Sequence, residues 1–355
     1  MVPNPLFGVV LHWLGGLSSA SFYVPYRKVR HWSWEIFWSV GGVFSWIIAP
    51  WLMAWIQTRD LFGVLSAVPA SVWFWCYLFG ALWGLGGLTF GLAMRYLGLS
   101  LGMAIALGLT AAFGTLMPPL VSGELFQLLR GLHGQVILAG LGVCLAGIAV
   151  IGRAGRSKER DQPPEALTRS IAEFDLKKGI MVAIFSGIMS ACFAYGLAAA
   201  EPVRQLTLAA GTTPIWQGLP ALCIVLLGGA TTNLAWCAIL VVRGGTAREY
   251  LGGAGPAADG PAPPPLLRNY LLSAFGGTLW YFQFFFYTMG ESQMGPYGFS
   301  SWTLHMASII IFSSLWGFAL REWKGAGRST LALVFTGLAL LVGSTVIIGI
   351  GNAMP

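Results

Sequence analysis

The sequence predicts an all-α membrane protein of ten transmembrane helices, built as two inverted five-helix repeats. Three features point there: ten long apolar runs, cations gathered on one side of them, and a repeat of small and aromatic residues between the two halves of the chain. Charged residues make up 9% of the 355 and the mean hydropathy is +0.72, whereas a soluble globular domain carries roughly 25% charged residues. Lipid, rather than water, is the main solvent of such a chain.

The runs cover residues 6–23, 34–55, 72–94, 98–120, 135–152, 179–200, 214–242, 267–290, 297–320 and 330–350. A hydrocarbon core of roughly 30 Å takes about 20 residues of helix, and a membrane barrel would instead show segments of about 10 residues alternating in polarity. Span 1 has no basic residue ahead of it and leads straight into span 2, so a cleaved signal peptide is not expected. Trp32, Trp34, Trp38, Trp51 and Trp55 bracket span 2 as an interfacial aromatic belt. In spans 3 and 4, Gly80, Gly84, Gly87 and Gly91, then Gly98 and Gly102, place small residues four apart, a pattern for close helix packing. They are not phosphate loops, since no Walker or dinucleotide fingerprint stands between a strand and a helix. Cys76, Cys144, Cys192, Cys223 and Cys237 all fall in apolar runs without metal or redox spacing, so packing is their expected role.

Of the 20 Lys and Arg, 17 follow odd-numbered spans, leaving Arg59, Arg130 and Arg204 for the other side. Positive loops stay in the cytoplasm, which puts both termini outside. The net charge of +7 follows from basic loops facing anionic lipid, so the bilayer is the expected partner and nucleic acid is not.

The longest polar stretch, residues 153–178, holds seven cations, five acids, Pro163 and Pro164. It reads as a cytoplasmic linker between a first repeat, residues 1–152, and a second, residues 179–355. Gly8, Gly16, Ser19, Ala20 and Phe22 recur 171 positions later as Gly179, Gly187, Ser190, Ala191 and Phe193, and Phe79-Gly80 is echoed by Phe275-Gly276. With five spans in each half, the second must enter the membrane the opposite way round, a plan common in secondary transporters whose substrate site lies near the midplane. Residues 252–265 (GGAGPAADGPAPPP) form a second, flexible cytoplasmic connector.

Polar side chains inside a membrane are costly and face the protein interior or water, so the few at mid-span carry most weight. His305 shares a helix face with Ser301 and Ser308; Trp280, Gln283, Tyr287 and Glu291 lie on one face of span 8; His12, Gly16, Ser19 and Tyr23 lie on one face of span 1. Together with Trp302, these aromatic, amide, imidazole and hydroxyl groups suit a small polyhydroxylated ligand, whose hydroxyls need hydrogen bonds and whose C–H faces need an apolar wall. Glu35 is expected in an interfacial ion pair near Arg27, Lys28 and Arg30, while Glu201 and Glu291 sit at outer span ends within reach of water. No catalytic constellation, metal-ligand spacing or soluble domain speaks for an enzyme or a sensor.

Residues 12–26 (HWLGGLSSASFYVPY), 32–46, 79–98 (FGALWGLGGLTFGLAMRYLG), 152–160, 276–287 and 302–306 together resemble the L-rhamnose–proton symporter family of the drug/metabolite transporter superfamily. The resemblance runs from span 1 to span 10. It implies a ten-helix inner-membrane carrier, not an enzyme, that imports L-rhamnose with a proton by alternating access, with the proton as coupling ion and no cofactor, metal or obligatory protein partner. The substrate-binding candidates are His12, Ser19, Tyr23, Trp280, Gln283, Tyr287, Trp302 and His305; the proton-coupling candidates are His305, whose imidazole type titrates near neutrality, His12 and Glu291. Gly298 departs from the family pattern, which can carry an acid there, so a related deoxy sugar, uncoupled uptake or another small metabolite stays open.

Overall fold

The computed structural model describes residues 3–97, 99–160, 175–253, 264–321 and 323–354, and every regular element among them is helical. Ten long helices are labelled in chain order: α1 (Pro5–Ser21), α2 (Trp34–Gln57), α3 (Ala70–Leu97), α4 (Leu99–Val121), α5 (Leu132–Arg160), α6 (Leu176–Ala199), α7 (Leu219–Gly244), α8 (Leu266–Glu291), α9 (Ser301–Ala319) and α10 (Arg328–Ala353). Among the described residues, eight segments are long and apolar enough to cross a membrane, those built on α1, α2, α3, α5, α6, α7, α9 and α10. Within α4, Ile105–Val121 is a shorter apolar helix. The 26-residue α8 falls outside the eight, because Trp280, Tyr281, Gln283 and Tyr287 lower its mean hydropathy.

Local chemistry sets the helix ends. The Asn4 side chain accepts from the Phe7 amide at 3.2 Å just before Pro5, and Asp175 accepts from the Lys178 amide at 3.0 Å, each satisfying an amide that the first helical turn leaves without a partner. The left-handed Gly245 (φ 64°) stops α7. In α2 a π-helical turn at Phe44–Ile48 ends two residues before Pro50, whose ring and missing N–H disturb the regular ladder. Within the stretch that composition reads as a linker, residues 153–160 continue α5 and residues 176–178 belong to α6. Residues 161–174, residues 254–263 of the second connector, and Gly98 lie outside the described residues.

The helices pack in a definite pattern. α3 lies on α6 and α7, α1 on α8 and α9, α6 on α4, α2 on α7 and α8, α5 on α4 and α10, and α9 on α10. Small residues permit the closest crossings, as van der Waals packing between helices in lipid requires. A Cβ at Gly80 of α3 would meet the Val225 carbonyl of α7, and one at Gly16 of α1 would overlap the Ser308 hydroxyl of α9 and lie 2.7 Å from its carbonyl carbon. The expectation for span 3 holds at Gly80 and at Gly84, which faces Thr232, but a Cβ at Gly87 or Gly91 would meet nothing within 4 Å. The five cysteines are all free and buried.

Gly16→Val should cost about 1–3 kcal/mol, the usual range for overpacking a tight contact, because backbone as well as side chain stands in the way. Thermal melting of the detergent-solubilised variant measures this; a melting temperature equal to that of the parent would mean that α1 does not hold its close approach to α9.

Candidate functional site: an aromatic and imidazole floor beneath a charged cavity

Four rings from three helices meet inside the bundle. His12 of α1 lies edge-on to Tyr287 of α8, with centroids 5.3 Å apart, and 6.4 Å from His305 of α9. Tyr287 in turn contacts His305 at 5.3 Å and Trp302 at 5.7 Å. All four are buried, both histidines to within 1%. The indole N–H of Trp302 donates to the Thr110 carbonyl of α4 at 2.9 Å, and Phe193 of α6 stacks on the same indole at 5.7 Å. Five helices therefore fix one cluster.

The glycine pattern of α1 explains how the rings come so close. A Cβ at Gly15 would stand 2.9 Å from the Gln283 carbonyl and 3.2 Å from the His305 ring, and one at Gly290 would stand 2.8 Å from the His12 ring. Ser308 ties the crossing with its hydroxyl, which lies 3.0 Å from the His12 carbonyl and 2.8 Å from that of His305. Both ring nitrogens of His12 and of His305, and the Gln283 amide nitrogen, are buried without a hydrogen-bond partner in the protein. Buried polar atoms are normally satisfied, so this concentration of unused donors and acceptors marks a place built to meet something polar.

Above the rings lies a cavity of about 500 Å³, within the roughly 300–1,000 Å³ of small-molecule sites. Tyr287 and Trp302 belong both to it and to the ring cluster, and its walls include Gly114, Ala194, Ala198 and Thr288. It sits at the end of the bundle where α4, α6 and α8 finish and α7 and α9 begin. Its rim is charged: Arg204 donates from Nε to Glu201 at 2.8 Å and from Nη1 to the Leu197 carbonyl at 2.9 Å, and Nη1 lies 3.7 Å from the Glu291 carboxylate. Gly298 covers Glu291, with room for a Cβ at 3.7 Å from its Cγ.

The structure gathers His12, Gln283, Tyr287, Trp302 and His305 at this level and leaves the other candidates elsewhere. Trp280 packs on Phe22 at 4.4 Å, in a second aromatic group with Tyr26 and Trp38. It shares the face of Tyr287, but seven residues of helix separate them by about 10 Å. Tyr23 belongs to that lower group and is 46% exposed. Ser19 is buried two turns below His12. Glu35 accepts from the Thr246 hydroxyl at 2.8 Å. Sequence reasoning missed Arg204, Thr110 and Phe193. For Arg204 a signal existed, because it is one of the three cations on the sparsely charged side.

A multi-pass membrane protein with a ring-floored polar cavity between its helices is, by class, a small-molecule carrier. Comparison with known proteins gives the particular family. The family model described as L-rhamnose-proton symport protein (RhaT) matches residues 1–354. The L-rhamnose-proton symporter of Cronobacter sakazakii is 39% identical over 348 residues, covering 98% of this chain and 97% of that one. The proteins of the same name from Klebsiella pneumoniae and Salmonella paratyphi B are each 38% identical, covering 98% of both chains. This chain belongs to the L-rhamnose-proton symport protein family.

Trp302→Phe keeps a ring against Phe193 and Tyr287 and removes the bond to Thr110. A loss of about 1 kcal/mol is expected, the typical net worth of one hydrogen bond, seen as a lower melting temperature without loss of assembly. An unchanged melting temperature would mean that the indole N–H does not anchor the floor.

Proposed function

We propose that this protein imports L-rhamnose together with a proton across the bacterial inner membrane. The observation that carries it is the cavity floored by Tyr287 and Trp302, in a chain similar over its whole length to proteins named L-rhamnose-proton symporter. Ring faces suit the C–H surfaces of a deoxy sugar, while the polar groups at the same level suit its hydroxyls. In this reading Tyr287 and Trp302 touch the sugar first. His12, Gln283 and His305 stand directly behind them, and Ser19, Tyr23 and Trp280 line the lower part of its path. His305, His12 and Glu291 are the titratable groups on that path available to the proton.

The architecture we propose is ten spans in two inverted repeats, residues 1–152 and 179–355, joined by the linker 153–178, with α4 and α8 as the two further spans. The packing pattern supports it. Exchanging each helix for the one five places along turns α1 on α8 into α6 on α3, α1 on α9 into α6 on α4, and α4 on α5 into α9 on α10, and each of these pairs is in contact. With both termini periplasmic, the cavity faces outward, and the group around Phe22, Tyr26, Trp38 and Trp280 closes the cytoplasmic end. Exchange between this state and its inward-facing counterpart is the transport step. One positive charge moving inward across about 100 mV releases roughly 2.3 kcal/mol, enough to concentrate a neutral sugar roughly fiftyfold.

Purified protein in liposomes tests the function. Labelled L-rhamnose should accumulate when an inward proton gradient is imposed and only equilibrate without one. Uptake that ignores the gradient would sink symport and leave a uniporter, and selective uptake of a different monosaccharide would replace the substrate. Orientation is checked separately: reporter fusions after Arg160 and after Gly260 should behave as cytoplasmic and one after Pro355 as periplasmic, and the reverse result would turn the cavity inward.

A further inference from the structure

Four charged residues line the cavity, Glu124, Glu201, Arg204 and Glu291, and the geometry of the last three is unequal. Glu201 holds Arg204 firmly, through Nε at 2.8 Å and Nη2 at 2.7 Å, and its own second oxygen accepts from Gln205 at 2.6 Å. The Leu197 carbonyl takes one N–H of Nη1. Arg204 and Glu291 both line the cavity, and Glu291 lies 3.7 Å from Nη1, too far for a hydrogen bond but within ion-pair range. Arg204 is 15% exposed and Glu291 22% exposed. A loose pair of opposite charges on the wall of a cavity, with the cation clamped from behind and the anion free, can be opened by whatever competes for either partner.

We infer that Arg204 is a sugar ligand gated by Glu291, and that protonation of Glu291 is what hands Arg204 to the sugar. The inference rests on the transport function proposed above and deepens it by naming the residues that link sugar to proton. With Glu291 ionised, its charge holds the Arg204 guanidinium in a loose pair at 3.7 Å. A proton from the outer water neutralises Glu291, and the N–H groups of Arg204 that Glu201 and Leu197 leave unused then donate to sugar hydroxyls. Linkage makes the effect reciprocal, so the bound sugar raises the affinity for the proton by the same factor.

The same arrangement disfavours a sugar leak. Sugar bound without a proton would draw Arg204 away from the Glu291 carboxylate as the site closes, and a charge stripped of its counter-charge in a closing site is strongly unfavourable, whereas Arg204 keeps Glu201 throughout. The empty, unprotonated site keeps its pair and returns. The groups that act on Glu291 are Arg204, Glu201 and the Tyr287 hydroxyl, with Glu124 also on the cavity wall. His12 and His305 lie beneath the floor formed by Tyr287 and Trp302, outside the set of side chains that line the cavity, and of the two acids that face Arg204, Glu291 is the one that holds it loosely.

Sugar affinity measured against pH on the purified full-length protein is the test. In the parent, affinity for L-rhamnose should fall by up to about tenfold per pH unit as pH rises through the titration of Glu291. Glu291→Gln should give affinity that is flat with pH, near the parent's acid limit, and should abolish accumulation driven by a proton gradient. Glu291→Asp should restore a pH-dependent affinity. Parent-like pH dependence in Glu291→Gln would overturn the inference. So would pH-independent binding in a parent that still binds and exchanges L-rhamnose, and that result would leave the carrier function standing. A parent that binds no L-rhamnose at any pH would remove the function proposed above and this inference with it.

Discussion

The close approach of α1 to α8 and α9 is the constraint on which the site depends. Gly15 and Gly16 remove the side chains that would otherwise strike Gln283, His305 and Ser308, and Gly290 clears the place taken by the His12 ring. Without that clearance the imidazoles could not come within 6.4 Å of each other, nor could Tyr287 touch both. In lipid, where helices gain nothing by hiding apolar surface from one another, such contact has to come from shape and from bonds like that of Ser308 to the neighbouring carbonyls. Small residues on α1 and α8 thus decide which polar residues of α1, α8 and α9 come together.

Consequences of that packing run in two directions. On one side, the rings become the floor of a cavity whose walls include α4, α6 and α8 and whose charges come from Glu124, the short helix Glu201–Ala209 and the end of α8. At the opposite end, Phe22 closes against Trp280, Tyr26 and Trp38, and the loop after α7 straps the start of α2, with the Trp32 indole donating to the Glu249 carbonyl at 3.0 Å and the Ser33 hydroxyl to the Glu249 carboxylate at 2.7 Å. One end is open and lined by charge; the other is filled with rings. A carrier caught in one of its two states would have this asymmetry.

Much of this was legible in the sequence. Long apolar runs announced membrane helices, and helical spacing put His12, Ser19 and Tyr23, or Trp280, Gln283 and Tyr287, on common faces. Spacing cannot tell depth, however, and depth divided these residues: Tyr287 reached the cavity while Trp280, on the same face, packed about 10 Å of helix rise lower. Distances between helices were invisible for the same reason, so Phe193 and Thr110, an ordinary apolar residue and an ordinary hydroxyl in their own spans, gave no sign of meeting Trp302. Arg204 shows the converse. Its position on the side poor in cations was visible, and so was Glu201 three residues before it, but the approach of Glu291 from α8 belongs to the folded state alone.

The central claim is that the cavity above Tyr287 and Trp302 holds the sugar, and a structure determined with bound L-rhamnose tests it most directly. The account predicts the sugar ring packed on the Trp302 and Tyr287 rings with a hydroxyl within hydrogen-bond reach of Arg204. Sugar bound instead among Phe22, Trp38 and Trp280, or at a site that touches neither Trp302 nor Tyr287, would contradict it.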